Sequence, residues 1–159
     1  MIGIPVEVPG TMKRTNPRLR FCVILLAMNL LFIWGNSLLP GELSGAVSLW
    51  LKKLLHFGGE DSQAGHGLLR KLAHFTEFAS LGLLWAWLWG MLGKKPGVSL
   101  LSGFLVACVD ETIQIFVPDR GPGVKDVLID TCGVCLGVAA LHLICSLKKR
   151  KQSLFLEDT

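Results

Sequence analysis

Four long apolar runs dominate the chain, and short polar segments separate them. The runs occupy residues 21–39, 72–92, 98–117 and 124–147. A helix needs about 20 predominantly apolar residues to cross the hydrocarbon core of a bilayer, and each run meets that length. The pattern therefore predicts an all-α fold: an integral membrane four-helix bundle whose helices are joined by mostly short connections.

The only long connection lies between the first and second runs, and it carries an apolar stripe at helical spacing. Lys52 and Lys53 fall outside that stripe. We predict a short amphipathic helix that lies in the membrane interface; the alternative is a loop segment packed on the bundle. The stripe consists of Leu43, Val47, Trp50, Leu51 and Leu54.

The distribution of basic residues predicts the segments of the chain and its orientation in the membrane. Residues 1–20 are predicted to be a disordered cytoplasmic N-terminus, 21–147 the membrane domain and 148–159 a basic cytoplasmic tail. Lys and Arg are concentrated on the cytoplasmic side of membrane proteins. Cations precede the first run, follow the fourth and separate the second from the third, so we predict a multi-pass protein of the bacterial cytoplasmic membrane with both termini inside.

Composition agrees with a membrane protein and excludes other classes. The 159 residues are 51% hydrophobic and 18% charged, with a mean hydropathy of +0.52, which exceeds what the core of a soluble domain requires. The formal charge of +4 comes from clusters beside apolar runs, so we predict no nucleic-acid partner. The five cysteines lie within apolar stretches, where they act as packing residues rather than as a disulfide framework.

Ionisable residues inside the runs are the candidate functional residues, because a charge at the bilayer centre costs roughly 2.5–3.5 kcal/mol even on insertion scales. The second run starts, the third ends and the fourth starts on the same side of the membrane, so the groups there can meet in the outer leaflet. The predicted ligand-binding residues are Lys71, His74, Glu77, Asp110, Glu111, Gln114, Arg120, Asp126 and Asp130.

Five acids of this set face only three cations, Lys71, Arg120 and Lys125. Protons, a charged His74, a bound cation or a cationic ligand group could neutralise the excess. The spacing matches no zinc signature, so we assign no metal and no cofactor. The alternative to a binding site is an ion-pair network that only holds the helices in register.

Two further features concern packing and recognition. Asp126, Asp130, Gly133 and Gly137 fall on one helix stripe, and the two glycines form a Gly-x-x-x-Gly seam that predicts close helix packing within the chain. Arg120 lies in a tight turn above the cluster, where it is expected to bind a carboxylate, either an internal acid or a group of the ligand, or a phosphate.

Three motifs in chain order carry a family resemblance: Lys71-x-x-His74-Phe75-x-Glu77-Phe78, Asp110-Glu111-x-x-Gln114-x-Phe116-Val117-Pro118-x-Arg120, and Asp126-Val127-x-x-Asp130 with Gly133 and Gly137. The chain resembles the VanZ-like family of small bacterial membrane proteins, named after an accessory protein of glycopeptide-resistance clusters associated with teicoplanin resistance. Asn36 stands where a Ser is more usual, Phe78 where Tyr is frequent and Asp130 where Asn is common. The resemblance implies a cell-envelope protein with no established enzymatic activity.

Three functions remain open on this basis. The first is binding of a membrane lipid, a lipid-linked precursor or another amphiphile at the outer site, which would lower susceptibility to lipoglycopeptides. The second is an intramembrane hydrolase or transferase that uses His74 with Glu77 or Asp110 as acid and base, either alone or with a bound metal. The third is a proton-coupled transporter or flippase, although the polar groups lie only near the outer side.

Overall fold

The computed structural model describes residues 16–54, 63–121 and 123–157. Those residues form five helices and no strand, which confirms the all-α class. The helices are α1 (Pro17–Ser37), α2 (Gly41–Leu54), α3 (Gln63–Met91), α4 (Pro96–Gln114) and α5 (Val124–Glu157).

The first helix begins earlier than the sequence predicted. Asn16 caps it by accepting the Arg18 backbone N–H, and Pro17 occupies the first turn, where its missing N–H costs no helical hydrogen bond. The prediction of disorder up to residue 20 is therefore wrong for residues 17–20, because cap chemistry rather than hydropathy sets the helix start. Residues 1–15 lie outside the described part of the chain.

Three helices of the described chain are long and apolar enough to cross a membrane: Pro17–Ser37, Pro96–Gln114 and Val124–Ser153. This is the pattern of a membrane protein. The remaining predicted span, 72–92, lies within α3, where His74, Glu77 and three tryptophans lower the mean hydropathy. α5 continues through most of the basic segment after residue 147.

A helix of 14 residues, α2, does occupy the connection between the first two runs. Of the predicted apolar stripe, Leu43 and Trp50 are exposed, and the side chains of the other three members lie outside the described residues. Placement of α2 in the membrane interface stays a prediction.

A chain reversal at Gly93 brings α4 back along α3. Gly93 has φ of 67°, a backbone conformation that is unfavourable for residues with a Cβ atom. Its N–H binds the Gly90 carbonyl, and the Lys94 N–H binds the Trp89 carbonyl, which satisfies carbonyls that α3 would otherwise leave unpaired. Pro96 then starts α4.

α3 is the central helix, since it contacts α1, α2, α4 and α5. Its buried residues Phe78 and Leu81 pack with Ile33 of α1, Ala107 of α4 and Val134 of α5. Large apolar side chains such as those of α1 point outward instead, as expected where lipid replaces water around the protein. The examples on α1 are Phe21, Ile24, Met28, Leu31 and Phe32.

The closest helix approach lies between α3 and α5 at the Gly-x-x-x-Gly seam. A Cβ on Gly133 would lie 2.5 Å from the Phe75 carbonyl oxygen, and one on Gly137 would collide with the Ala79 carbonyl oxygen. Both glycines thus face a helix of the same chain, as the sequence predicted. This contact fixes the depth and rotation of α5 relative to α3.

Candidate ligand-binding site

The buried ionisable side chains gather at one end of the molecule, where α1 and α4 end and α5 begins. We call this the polar end. Among the described residues classed as buried, every residue with a carboxylate, imidazole or guanidinium lies there. These residues are His74, Asp110, Glu111, Arg120 and Asp130.

Asp110 lies at the centre of a hydrogen-bonded group that joins α1 to α4. The Ser37 hydroxyl donates to Asp110 Oδ1 over 2.6 Å, and Gln114 Nε2 donates to Asp110 Oδ2 over 3.0 Å. Asp110, Gln114 and Ser37 are all fully buried. Asp110 and Gln114 are one helical turn apart, so the sequence predicted their proximity, whereas only the fold brings in Ser37.

His74 of α3 lies between two acids on other helices. Its Nδ1 is 3.9 Å from Asp110 Oδ2 and 4.0 Å from Asp130 Oδ1, separations too long for direct hydrogen bonds. Neither His74 Nδ1 nor either carboxylate oxygen of Asp130 has a hydrogen-bond partner among the described residues. These unpaired atoms face one another in the interior.

Glu77 takes a different partner from the one proposed for it. Asn36 Nδ2 donates to Glu77 Oε1 over 3.0 Å, and the described ion pairs of His74 are with Asp110 and Asp130. Of the two acids proposed to act with His74, Asp110 is thus the one within 4 Å of its Nδ1, and a catalytic role of Glu77 stays a prediction. His74 turns toward α4 and α5, while Glu77 reaches α1.

Glu111 and Asp126 lie where α5 begins. Glu111 Oε2 accepts the backbone N–H of Gly123 over 2.8 Å, so this carboxylate stabilises the N-terminus of α5. Asp126 in the first turn of α5 is half-buried beside it. The predicted ligand-binding role of both acids stays a prediction.

Arg120 contacts the main chain at the polar end of α1. Its Nε donates to the Leu39 carbonyl over 3.0 Å and its Nη2 to the Asn36 carbonyl over 2.8 Å. Terminal helix carbonyls carry partial negative charge and lack partners within their helix, which explains the attraction. Burial lowers the pKa of Arg120 from its usual value, and the neighbouring Arg70 lowers it further.

The expectation that Arg120 binds a carboxylate or a phosphate stays a prediction. Two of its nitrogen atoms donate to main-chain oxygens, its Nη1 has no partner among the described residues, and it is not one of the described residues that line the polar cavity beside His74. Sequence reasoning considered only charged partners, because the carbonyls at the end of α1 carry no signature in the sequence.

Arg70 is a site residue that sequence reasoning missed. It lies one turn before His74 on α3, is half-buried, and its Nη2 donates to Gln114 Oε1 over 3.3 Å. The predicted cation Lys71 is exposed and lines the same polar cavity as Arg70. The i,i+4 spacing of Arg70 and His74 was the available signal, since it places both on one face.

Two cavities meet at Arg70. One, of about 300 Å³, is polar and is lined by Arg70, Lys71, His74, Glu111, Gly121, Asp126, Ile129 and Asp130. The other, of about 510 Å³, is lined mainly by apolar residues of α1 and α3 together with Asn36, Arg70 and Glu77. The apolar lining includes Leu31, Phe32, Leu39, Leu69 and Ala73.

One group in the described chain could hold a metal ion. His74, Asp110 and Asp130 each offer a ligand atom, and these atoms lie within 4.8 Å of one another. A single imidazole with two carboxylates is a donor set for divalent cations, and an imidazole beside acids can also transfer protons. The arrangement thus permits binding or acid–base chemistry.

Comparison with known proteins gives a family but no characterised relative. The family model described as VanZ/LLP1 matches residues 6–145, which includes every residue of the site. No curated protein and no solved structure matches the chain. Since the family match covers most of the 159 residues, the chain belongs to the VanZ/LLP1 family.

Proposed function

We propose that this protein binds an amphiphile at the outer leaflet of the bacterial cytoplasmic membrane, with a phosphate and an ammonium group in the bound headgroup. In this proposal α1, α3, α4 and α5 form a four-helix membrane bundle with both termini in the cytoplasm. Lipid-linked envelope precursors and lipoglycopeptides are amphiphiles of this kind, so binding at the cell envelope would lower susceptibility to a drug such as teicoplanin.

The observation that carries the proposal is the pair of cavities that share Arg70. The polar cavity offers Arg70 and Lys71 to a phosphate and Glu111 and Asp126 to an ammonium group. The apolar cavity beside it offers Leu31 and other apolar side chains to an acyl or prenyl chain. A molecule with a charged head and an apolar tail satisfies both cavities at once.

Native mass spectrometry of the detergent-extracted protein tests this proposal. Wild type is expected to retain an amphiphile, and Arg70→Gln is expected to retain at least tenfold less, because one charge-assisted contact contributes about 1.5–3 kcal/mol. Arg150→Gln, an exposed substitution in the C-terminal part of α5, serves as the matched control. Equal retention by wild type and Arg70→Gln would refute the proposal.

A drug assay tests the cellular consequence. In a host where wild type lowers teicoplanin susceptibility, Arg70→Gln and Glu111→Gln are expected to abolish the effect, while Arg150→Gln preserves it. If both cavity variants protected the host fully at the same membrane abundance as wild type, the cavity would not be responsible for resistance.

A second candidate function is hydrolysis or group transfer on a lipid-linked substrate. The position of His74 Nδ1 between Asp110 and Asp130 favours it, because an imidazole close to carboxylates can transfer protons. Incubation of the purified protein with a polyprenyl-diphosphate-linked substrate tests this candidate. Product formation that His74→Gln abolishes would support it, and an unchanged substrate pool would exclude it for that substrate.

Transport has less support. All described buried residues with a carboxylate, imidazole or guanidinium lie at the polar end, whereas a transport path requires polar groups toward both faces of the membrane. Flux into proteoliposomes above that of empty vesicles would be needed to restore a transporter or flippase as a candidate.

A further inference from the structure

We infer that His74, Asp110 and Asp130 form a binding site for one first-row divalent cation, of which Mn²⁺ and Zn²⁺ are the best fits. The site ties α3, α4 and α5 together at the polar end. It does not depend on the proposed amphiphile, because the three residues that define it belong to the chain.

The geometry allows coordination with little rearrangement. His74 Nδ1 is 3.9 Å from Asp110 Oδ2 and 4.0 Å from Asp130 Oδ1, and all three ligand atoms lie within 4.8 Å of one another. Ligands at about 2.0–2.2 Å from one metal, with angles of about 90–120°, are roughly 3–4 Å apart. Side-chain shifts of less than about 1 Å would therefore bring each atom into the coordination sphere.

Unpaired buried atoms provide the independent observation that a ligand belongs here. Asp130 is fully buried, and neither of its carboxylate oxygens has a hydrogen-bond partner among the described residues. His74 is 7% exposed, and its Nδ1 also lacks a partner. Burial of an unpaired polar group is unfavourable, and more so for a charged carboxylate. A cation between these atoms satisfies all of them.

The hydrogen bonds of the nearby cations lead away from Asp130, although Arg120 Nη1 has no hydrogen-bond partner among the described residues. Arg120 donates from Nε and Nη2 to the main chain of α1, and Arg70 Nη2 donates to Gln114. None of the hydrogen bonds of these two residues, within the described chain, reaches Asp130. A divalent ion would supply the positive charge that these hydrogen bonds do not bring to the acids around His74.

Hydrogen bonds from Ser37 and Gln114 hold Asp110, one of the proposed metal ligands, in place. Ser37 and Gln114 donate to the two oxygens of Asp110, and each carboxylate oxygen keeps a lone pair for a metal. Such partners commonly orient metal ligands, and their loss lowers metal affinity 10–100-fold. His74 and Asp130 also line the polar cavity, from which water or a ligand oxygen could complete the coordination.

Mn²⁺ titration of the full chain provides the test. Protein in detergent is stripped with EDTA and titrated with Mn²⁺, and free Mn²⁺ is read by electron paramagnetic resonance. We expect about one ion per chain in wild type and at least tenfold weaker binding in Asp130→Asn and in His74→Gln. Asp119→Asn removes an exposed carboxylate at the same end of the molecule, and Asn tolerates the φ of 58° there, so it should bind like wild type.

A spectroscopic measurement on wild type keeps the inference testable if the ligand variants do not fold. Electron spin-echo modulation of the Mn²⁺ complex should show coupling to one imidazole nitrogen. Absence of that coupling, the lack of saturable Mn²⁺ and Zn²⁺ binding in wild type, or folded Asp130→Asn protein that binds within twofold of wild type would each overturn the metal site. Loss of amphiphile retention alone would refute only the proposed function.

Discussion

The hydroxyl of Ser37 donates a hydrogen bond of 2.6 Å to Oδ1 of Asp110, 73 residues further along the chain. Both residues are fully buried. The bond joins the last residue of α1 to the polar end of α4, so it connects a helix without buried charges to the cluster. The bond supports the carboxylate on which the site is built.

We predict that Ser37→Ala lowers the free energy of unfolding by about 1–2 kcal/mol, because it leaves a buried carboxylate oxygen without its donor. Thermal or denaturant unfolding in detergent measures the loss. Ser153→Ala is the control, since its exposed hydroxyl bonds only to the Arg150 carbonyl of its own helix. A similar change in both variants would contradict the role of Ser37.

The seam between α3 and α5 should tolerate no added methyl group. Gly133→Ala is expected to destabilise the protein by about 1–3 kcal/mol, because its Cβ would lie 2.5 Å from the Phe75 carbonyl oxygen and force the helices apart. The same unfolding measurement applies.

Gly90→Ala on α3 is expected to change the free energy of unfolding in the opposite direction. A Cβ there meets nothing within 4 Å, so the change should stabilise the helix by up to about 1 kcal/mol. If Gly133→Ala were as stable as Gly90→Ala, the close helix approach would be wrong.

Replacement of Arg120 by Lys distinguishes the contribution of the positive charge to stability from that of the hydrogen-bond geometry. Lys keeps the positive charge but cannot reproduce two N–H donors in a fixed fork, so Arg120→Lys should lose about 1–3 kcal/mol of stability and loosen the connection between α1 and α2. Limited proteolysis near residues 38–40 and thermal unfolding report the two effects. Arg150→Lys, on the exposed end of α5, should behave like wild type; equal behaviour of the two variants would exclude the proposed contact.

Membrane orientation is testable by labelling with an impermeant maleimide on intact cells. The background chain keeps Cys22, which is fully buried, and replaces the four other cysteines by Ala. In that background Lys125→Cys should react from outside, because it lies at the start of α5, and Ser153→Cys should react only after permeabilisation. The reverse pattern would place the polar end, and the proposed site, on the cytoplasmic side.

Several features of the site were predictable, since they depend on order along the chain. Each crossing of the membrane reverses the direction of the chain, so the start of the second run, the end of the third and the start of the fourth lie on one side. The joint location of His74, Asp110 and Asp130 therefore followed from the motifs. The partners of Glu77 and Arg120 did not follow. They depend on how far α1 extends toward the polar end, where Asn36 contributes both a side-chain amide and a main-chain carbonyl.

Arg70 and Lys71 show the limit of helix periodicity. Adjacent residues on a helix point about 100° apart, so one step along the chain separates the half-buried cation from the exposed one. Choosing between them requires the rotation of α3 about its axis to within less than that angle. The motif alone suggested Lys71, whereas the packing of α3 against four other helices determines that Arg70 is the half-buried one of the two.

The sequence by itself determined the helical class, the apolar spans and the one-sided placement of ionisable residues, because hydropathy and periodicity are properties of contiguous segments. Only the tertiary structure decided that His74 lies between Asp110 and Asp130, that Ser37 supports Asp110, and that Arg120 binds the end of α1. Those pairings depend on the relative depth and rotation of separate helices, which the contact of Gly133 and Gly137 with α3 sets and which no local pattern encodes.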